Sequence, residues 1–173
     1  MELGNVQQTP VYDLNKYRAL QLLEDGKEMI FVGDLDGAIS YLQKSIEKKE
    51  TAEALTYLGW VMNLKGQTDE AIELCKRAII LDSTLGNPFN DIGSYLIQKE
   101  RLEDAIPWLE EAKTKQNYEP KHFPYINLGR IYSAQGKIDL AIHEFKSALQ
   151  FSPNHTEIEN VLEQLENIKT STN

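Results

Sequence analysis

A glycine followed twelve residues later by an alanine occurs four times in this chain: Gly26 with Ala38, Gly59 with Ala71, Gly93 with Ala105, and Gly129 with Ala141. Successive glycines lie 33, 34 and 36 residues apart, and the alanines step identically. A pattern repeated in phase must fold as one supersecondary unit repeated, each copy covering the apolar face of the next. With 173 residues the chain has room for such a stack and is too short for two ordinary domains.

Each unit reads as two helices. Before the glycine stand Leu55 and Leu58, Phe89 and Ile92, or Tyr125 and Leu128; three residues after it stand Met29, Met62, Leu96 and Tyr132. These recur at i, i+3, i+4 and i+7, one apolar stripe on a first helix. Seven residues after the first glycine, three units carry another: Gly33, Gly66 and Gly136. A helix C-terminus takes a left-handed residue there. Thr68-Asp69 and Ile138-Asp139 then open a second helix, with carboxylates at its positive end. That helix carries Ala38, Leu42 and Ser45; Ala71, Cys75 and Ala78; Ala105, Leu109 and Ala112; or Ala141, Phe145 and Ala148. The small residues imply close helix contact, where a larger side chain would overpack at a cost of about 1–3 kcal/mol.

The chain resembles the tetratricopeptide repeat family, whose pattern is W-x2-L-G-x2-Y followed by A-x3-F-x2-A and P. The resemblance covers about residues 19 to 155. Repeat four, with Tyr125, Leu128, Gly129, Tyr132, Ala141, Phe145, Ala148 and Pro153, follows the pattern most fully, whereas repeat one has Asp25 where the family has Leu. The resemblance implies an all-α fold, a right-handed α-solenoid of four helix-turn-helix units over about 19–51, 52–85, 86–121 and 122–155. A capping helix is expected over 156–169, from Ile158, Val161, Leu162, Leu165 and Ile168 at helical spacing, followed by a polar tail, 170–173. Residues 1–18 read as an N-terminal extension, the first ten residues mobile, with Asp13 placed to cap an early start of the first helix.

Repeat three departs from its neighbours. Glu100 stands where the others have glycine, so its helix end should be strained or closed differently. Pro107 lies early in the second helix, where its missing N–H removes one bond near the open end. The join before repeat four, residues 117–124, holds two prolines and several rings. It reads either as a packed linker or as a rim contact for a ligand.

Composition narrows the functions. The formal net charge of -9 disfavours nucleic acid and anionic membrane surfaces as partners. The single cysteine, Cys75, excludes a disulfide framework and reads as a buried inert thiol. The first fifteen residues lack the apolar run of a secretory signal, and no stretch reaches the ~18 apolar residues of a spanning helix. A soluble cytoplasmic protein is expected. His122, His143 and His155 show no metal-ligand spacing, and no phosphate-loop, dinucleotide or nucleophile-elbow motif is present. The expectation is a non-enzymatic protein without catalytic, cofactor or metal residues.

Family resemblance implies a concave groove lined by first helices that binds an extended peptide or a helix. At about 100° per residue, positions 4, 7, 8 and 11 of a unit face the stack, and positions 2, 5, 9, 12 and 13 are assigned to the groove. That stripe is Leu20, Leu23, Lys27, Ile30 and Phe31; Glu53, Thr56, Trp60, Asn63 and Leu64; Asn87, Asn90, Ser94, Ile97 and Gln98; and Phe123, Ile126, Arg130, Ser133 and Ala134. The candidate partner-binding residues taken from it are Lys27, Phe31, Glu53, Thr56, Trp60, Asn63, Asn87, Asn90, Ser94, Gln98, Phe123, Ile126 and Arg130. Trp60 reads as the anchor, the asparagines suit a peptide backbone, and Arg130 suits a carboxylate.

The partner expected is a protein or peptide; a homo-oligomer is possible but not indicated. Co-chaperones of this family clamp acidic C-termini with basic residues, but the matching positions here are Leu23, Lys27, Asn87 and Asp91, of which only Lys27 is basic. The leading expectation is an adaptor. A small acidic chaperone for a secreted or aggregation-prone client, and a regulatory or targeting subunit of an enzyme, are the alternatives.

Overall fold

A computed structural model describes residues 13–171 of the chain. The described residues form nine helices: α1 (Leu14–Phe31), α2 (Leu35–Lys48), α3 (Ala52–Leu64), α4 (Thr68–Leu81), α5 (Asn87–Gln98), α6 (Leu102–Thr114), α7 (Phe123–Ala134), α8 (Ile138–Phe151) and α9 (Thr156–Ser171). The mobility expected of residues 1–10 lies outside the described residues. The first three helices start where a side chain meets an open backbone N–H group. Asp13 accepts from Lys16 N at 3.0 Å, Asp34 from Gly37 N at 2.9 Å, and Thr51 from Ala54 N at 3.2 Å.

The four hairpin turns close alike. Gly33, Gly66 and Gly136 take φ of 81°, 81° and 69°, and Glu100 takes 57°. In every turn the next residue donates five back along the chain at 2.9 Å: Asp34 to Met29 O, Gln67 to Met62 O, Arg101 to Leu96 O, and Lys137 to Tyr132 O. Glu100 therefore does not close its helix differently. It adopts the same left-handed conformation with a Cβ that disfavours it.

Within each hairpin the first-helix glycine is where the partner helix presses in. A Cβ on Gly26 would fall 2.8 Å from Leu42 Cγ, and one on Gly93 would fall 2.5 Å from Leu109. On Gly129 it would meet the Phe145 ring at 2.9 Å, and on Gly59 the Ala71 carbonyl at 3.1 Å and Cys75 Sγ at 3.2 Å. Pro107 sits inside α6, which runs on through it to Thr114.

Neighbouring helices pack in chain order, and first helices also touch each other, α3 with α5 and α5 with α7. One apolar core runs from Leu23 through Leu55, Ile92 and Leu109 to Leu128 and Ile131. A second joins α7 and α8 to α9 through Ile126, Phe145, Ile158, Leu162 and Leu165, so α9 covers the end of repeat four. The join between α6 and α7 folds back onto the start of α5. Gly86 N donates to Asn117 O at 2.9 Å, Asn117 Nδ2 to Thr84 Oγ1 at 2.9 Å, and Asn87 Nδ2 to Glu119 O at 3.4 Å. Tyr118 is thereby buried against Phe89 and Ala112.

Candidate protein-binding groove

Because first helices lie side by side, their outer faces make one wall and the folded-back join makes another. Between them lies a cleft of about 950 Å³. Its lining comes from α3 (Glu53, Thr56, Tyr57, Trp60), from Leu85 and α5 (Asn87, Asn90, Asp91, Ser94), from the join (Gln116 to Pro120), and from α7 (Phe123, Asn127, Arg130). A smaller recess of about 280 Å³ adjoins it between α7 and α9, with Phe123, Ile126, Arg130, His155 and Glu157 among its walls.

The structure brings together Glu53, Thr56, Trp60, Asn87, Asn90, Ser94, Phe123 and Arg130 in the cleft. Ile126 lines only the smaller recess and is otherwise part of the core. Lys27, Phe31, Asn63 and Gln98 lie outside the lining. The Lys27 ammonium is held by Glu24 at 2.9 Å and Glu53 at 3.3 Å, above the Tyr57 ring. Burial opposes its charged form, but Glu24, Tyr57 and Glu53 outweigh that and raise its pKa. Asn63 Oδ1 accepts from Thr68 Oγ1 at 3.0 Å, which ties it to the hairpin turn. Phe31, 91% exposed, and the exposed Gln98 stand at the far ends of their helices.

Position 5 of the stripe is buried in every repeat, even where it lines the cleft at Thr56 and Asn90. Leu23, Thr56, Asn90 and Ile126 are all buried there, and the Thr56 hydroxyl is spent on Ala52 O at 2.7 Å. Position 6, left out of the stripe, supplies Tyr57, Asp91 and Asn127 to the cleft. The reason is angular: positions 2, 6, 9 and 13 share an arc of about 60°, whereas 5 and 12 lie well to one side. The i, i+4, i+7 spacing of positions 2, 6 and 9 was the available signal. The contribution of Gln116, Asn117 and Tyr118 had none, since it depends on how the join folds.

Trp60 is 43% exposed and leans on Tyr57 with ring centroids 6.3 Å apart. Across the floor, Asn127 Nδ2 donates to Asn90 Oδ1 at 3.0 Å. Arg130 reaches Glu157 at 3.0 Å, an exposed pair of the kind that contributes little. Beside Asn90, burial pushes the Asp91 carboxyl up to about 7, with the Asn90 amide acting against it. Burial, and then the Asp91 charge, also raise the Cys75 thiol and the Tyr95 and Tyr118 hydroxyls. Those two hydroxyls are buried without a hydrogen-bond partner in the protein.

At the rim, His122 lies 4.4 Å from the Phe123 ring and 5.8 Å from His155 between centroids. Burial and then His155 lower its pKa. Among the described residues no group of three or more His, Cys, Asp or Glu side chains is arranged to hold a metal. None of the described helices is long and apolar enough to cross a membrane.

Helix pairs of this geometry match two models of the tetratricopeptide repeat, over residues 30–85 and 124–155. The chain is a tetratricopeptide repeat protein. Tetratricopeptide proteins of known structure share its fold over most of its length. The pilF protein of Pseudomonas aeruginosa is 22% identical, with a TM-score of 0.85 over 91% of this chain and 71% of that one. YrrB, a TPR protein with an unusual peptide-binding site, is 22% identical, with a TM-score of 0.66 over 90% and 80%. Superkiller protein 3 of Saccharomyces cerevisiae is 30% identical over 69 residues, 40% of this tetratricopeptide chain and 5% of the yeast protein. The chain thus spans a small fraction of that relative's length. Its repeats belong to a fold of protein-interaction modules.

Proposed function

We propose that the protein is a non-enzymatic adaptor whose concave groove holds a peptide or helix of a protein partner, with Trp60 as the anchor. The observation that carries this reading is the cleft itself. Its volume of about 950 Å³ is at the upper end of the range for specific ligand sites. Its walls combine an accessible tryptophan with amide side chains that can both donate and accept. The asparagine pair of the floor, Asn90 and Asn127, is already oriented by its mutual bond, so little ordering remains to be done on binding. YrrB, with the same fold, carries a peptide-binding site, which supports the reading by analogy. The cytoplasmic location expected from the sequence belongs to the same proposal.

Pull-down from the source cell with the wild-type chain and with Trp60→Ala and Arg130→Ala tests this. Trp60→Ala should lose most of a specific partner, as anchor residues contribute about 2 kcal/mol or more. A partner retained by both variants while they stay folded would rule the groove out as its site.

A further inference from the structure

Two cations beside the groove are already engaged. Lys27 is shared by Glu24 and Glu53, and Arg130 is held by Glu157. Two acidic groups of the lining are left over. Asp91 at the floor and Glu119 at the rim take part in none of the ion pairs found among the described residues. The groups facing Asp91 are uncharged: Asn90 and Tyr95 of its own helix, Cys75 of α4, and Tyr118 of the join.

Such a carboxyl is poorly satisfied, and burial accordingly holds its pKa at about 7. Tyr118, which lines the cleft and whose hydroxyl feels the Asp91 charge, buries that hydroxyl without a partner on a residue only 4% exposed. The Asp91 carboxyl is met by the neutral Asn90 amide and the Tyr118 hydroxyl by nothing, so a charged donor arriving from the groove would serve the pair. A carboxylate of the ligand would be repelled by Asp91 and Glu119, whereas an ammonium or guanidinium offers several donors and the opposite charge. The exposed face of Trp60, with Tyr57 beside it, suits the alkyl stem and the charge of such a side chain.

We propose that the groove floor between α3, α5 and α7 is a subsite for one lysine or arginine side chain of the bound peptide, held by Asp91, with Glu119 at the rim and Trp60 along its stem. The proposal rests on the groove being a peptide site and adds the chemistry of what enters it.

The test is a random peptide library displayed on phage, selected in parallel on the full chain, on Asp91→Asn and on Trp60→Ala. Wild-type protein should select sequences with Lys or Arg at one fixed place. Synthetic peptides from that pool should bind Asp91→Asn about tenfold more weakly, the loss of one charge-assisted contact. Replacing the fixed Lys or Arg by Gln should weaken binding to wild type by the same factor, with little further loss on Asp91→Asn. This peptide exchange reads out on wild-type protein and so does not depend on how a variant folds. Glu119→Gln should give a smaller loss, since that side chain is exposed. Selected peptides that carry no fixed cation, or that keep their affinity for Asp91→Asn while losing it for Trp60→Ala, would overturn the cation subsite and leave the groove reading standing. If wild type selects no peptide that Trp60→Ala loses, both readings fall together.

Discussion

A Cβ on residue 86 would lie 2.4 Å from the Cβ of Tyr118 and 2.6 Å from its Cγ, so Gly86 is what lets the join close over the start of α5. The φ of Gly86 is -83°, within reach of any residue, so the requirement is for space alone. Gly86→Ala should push Tyr118 and the Asn117 contacts outward and cost about 1–3 kcal/mol in urea unfolding, as overpacking does. Because Tyr118 lines the cleft, peptide affinity should fall as well. A variant as stable as wild type would mean that the join does not pack this tightly.

Glu100 offers the opposite result. It holds φ at 57° in a turn whose three counterparts use glycine. Glu100→Gly should raise stability by up to about 1 kcal/mol, visible as a higher melting temperature, because strain relief exceeds the added freedom of the unfolded chain. Gly66→Ala, the reverse exchange in repeat two, should lower it by a similar amount. An unchanged or lower melting temperature for Glu100→Gly would count against strain at this turn.

Asp91 makes stability depend on pH. Its folded pKa of about 7 lies above the ordinary carboxyl value of 3.8, so folding favours the protonated form. Its contribution is complete below the ordinary value and is lost as pH rises through about 7. Asp91→Asn should therefore gain on wild type by about 1–3 kcal/mol at pH 8 relative to pH 5, in parallel denaturant titrations. Asp13, Asp69 and Asp82 have lowered pKa values and act only below that window. His122, also lowered, acts within it with the opposite sign, but equally in both proteins. A gap that does not change between the two pH values would refute the assignment.

Repeats three and four are also joined by a buried pair. Lys113 donates to both Glu144 carboxylate oxygens at 3.1 and 3.2 Å, beneath the Tyr125 ring, and Glu144 is only 5% exposed. Lys113→Met strands the buried Glu144 carboxylate and should cost about 2 kcal/mol or more, whereas Glu144→Ala leaves Lys113 its bond to Glu110 at 3.0 Å and should cost less. The double variant should cost less than the sum, with a coupling above about 0.5 kcal/mol. Strict additivity in a double-mutant cycle would show that the pair contributes no coupling.

The sequence by itself determined the helix pairs. Spacing of Gly and Ala, apolar stripes, Asp13 at a helix start and glycine at helix ends act within about one turn of chain, which a linear reading can follow. It also marked Trp60, Asn87, Ser94 and Arg130, whose direction follows from helical angle. Angle groups positions 2, 6, 9 and 13 on one arc, but only stacking decided that this arc faces the cleft. Stacking turned position 5 inward, burying Thr56 and Asn90, and turned position 6 outward, so Asp91 and Asn127 entered the cleft. The join was legible as irregular and ring-rich, yet its role depended on a glycine thirty-two residues away in sequence. Gly86 gave Tyr118 a place to pack, and that contact made one wall of the groove out of chain that belongs to no helix.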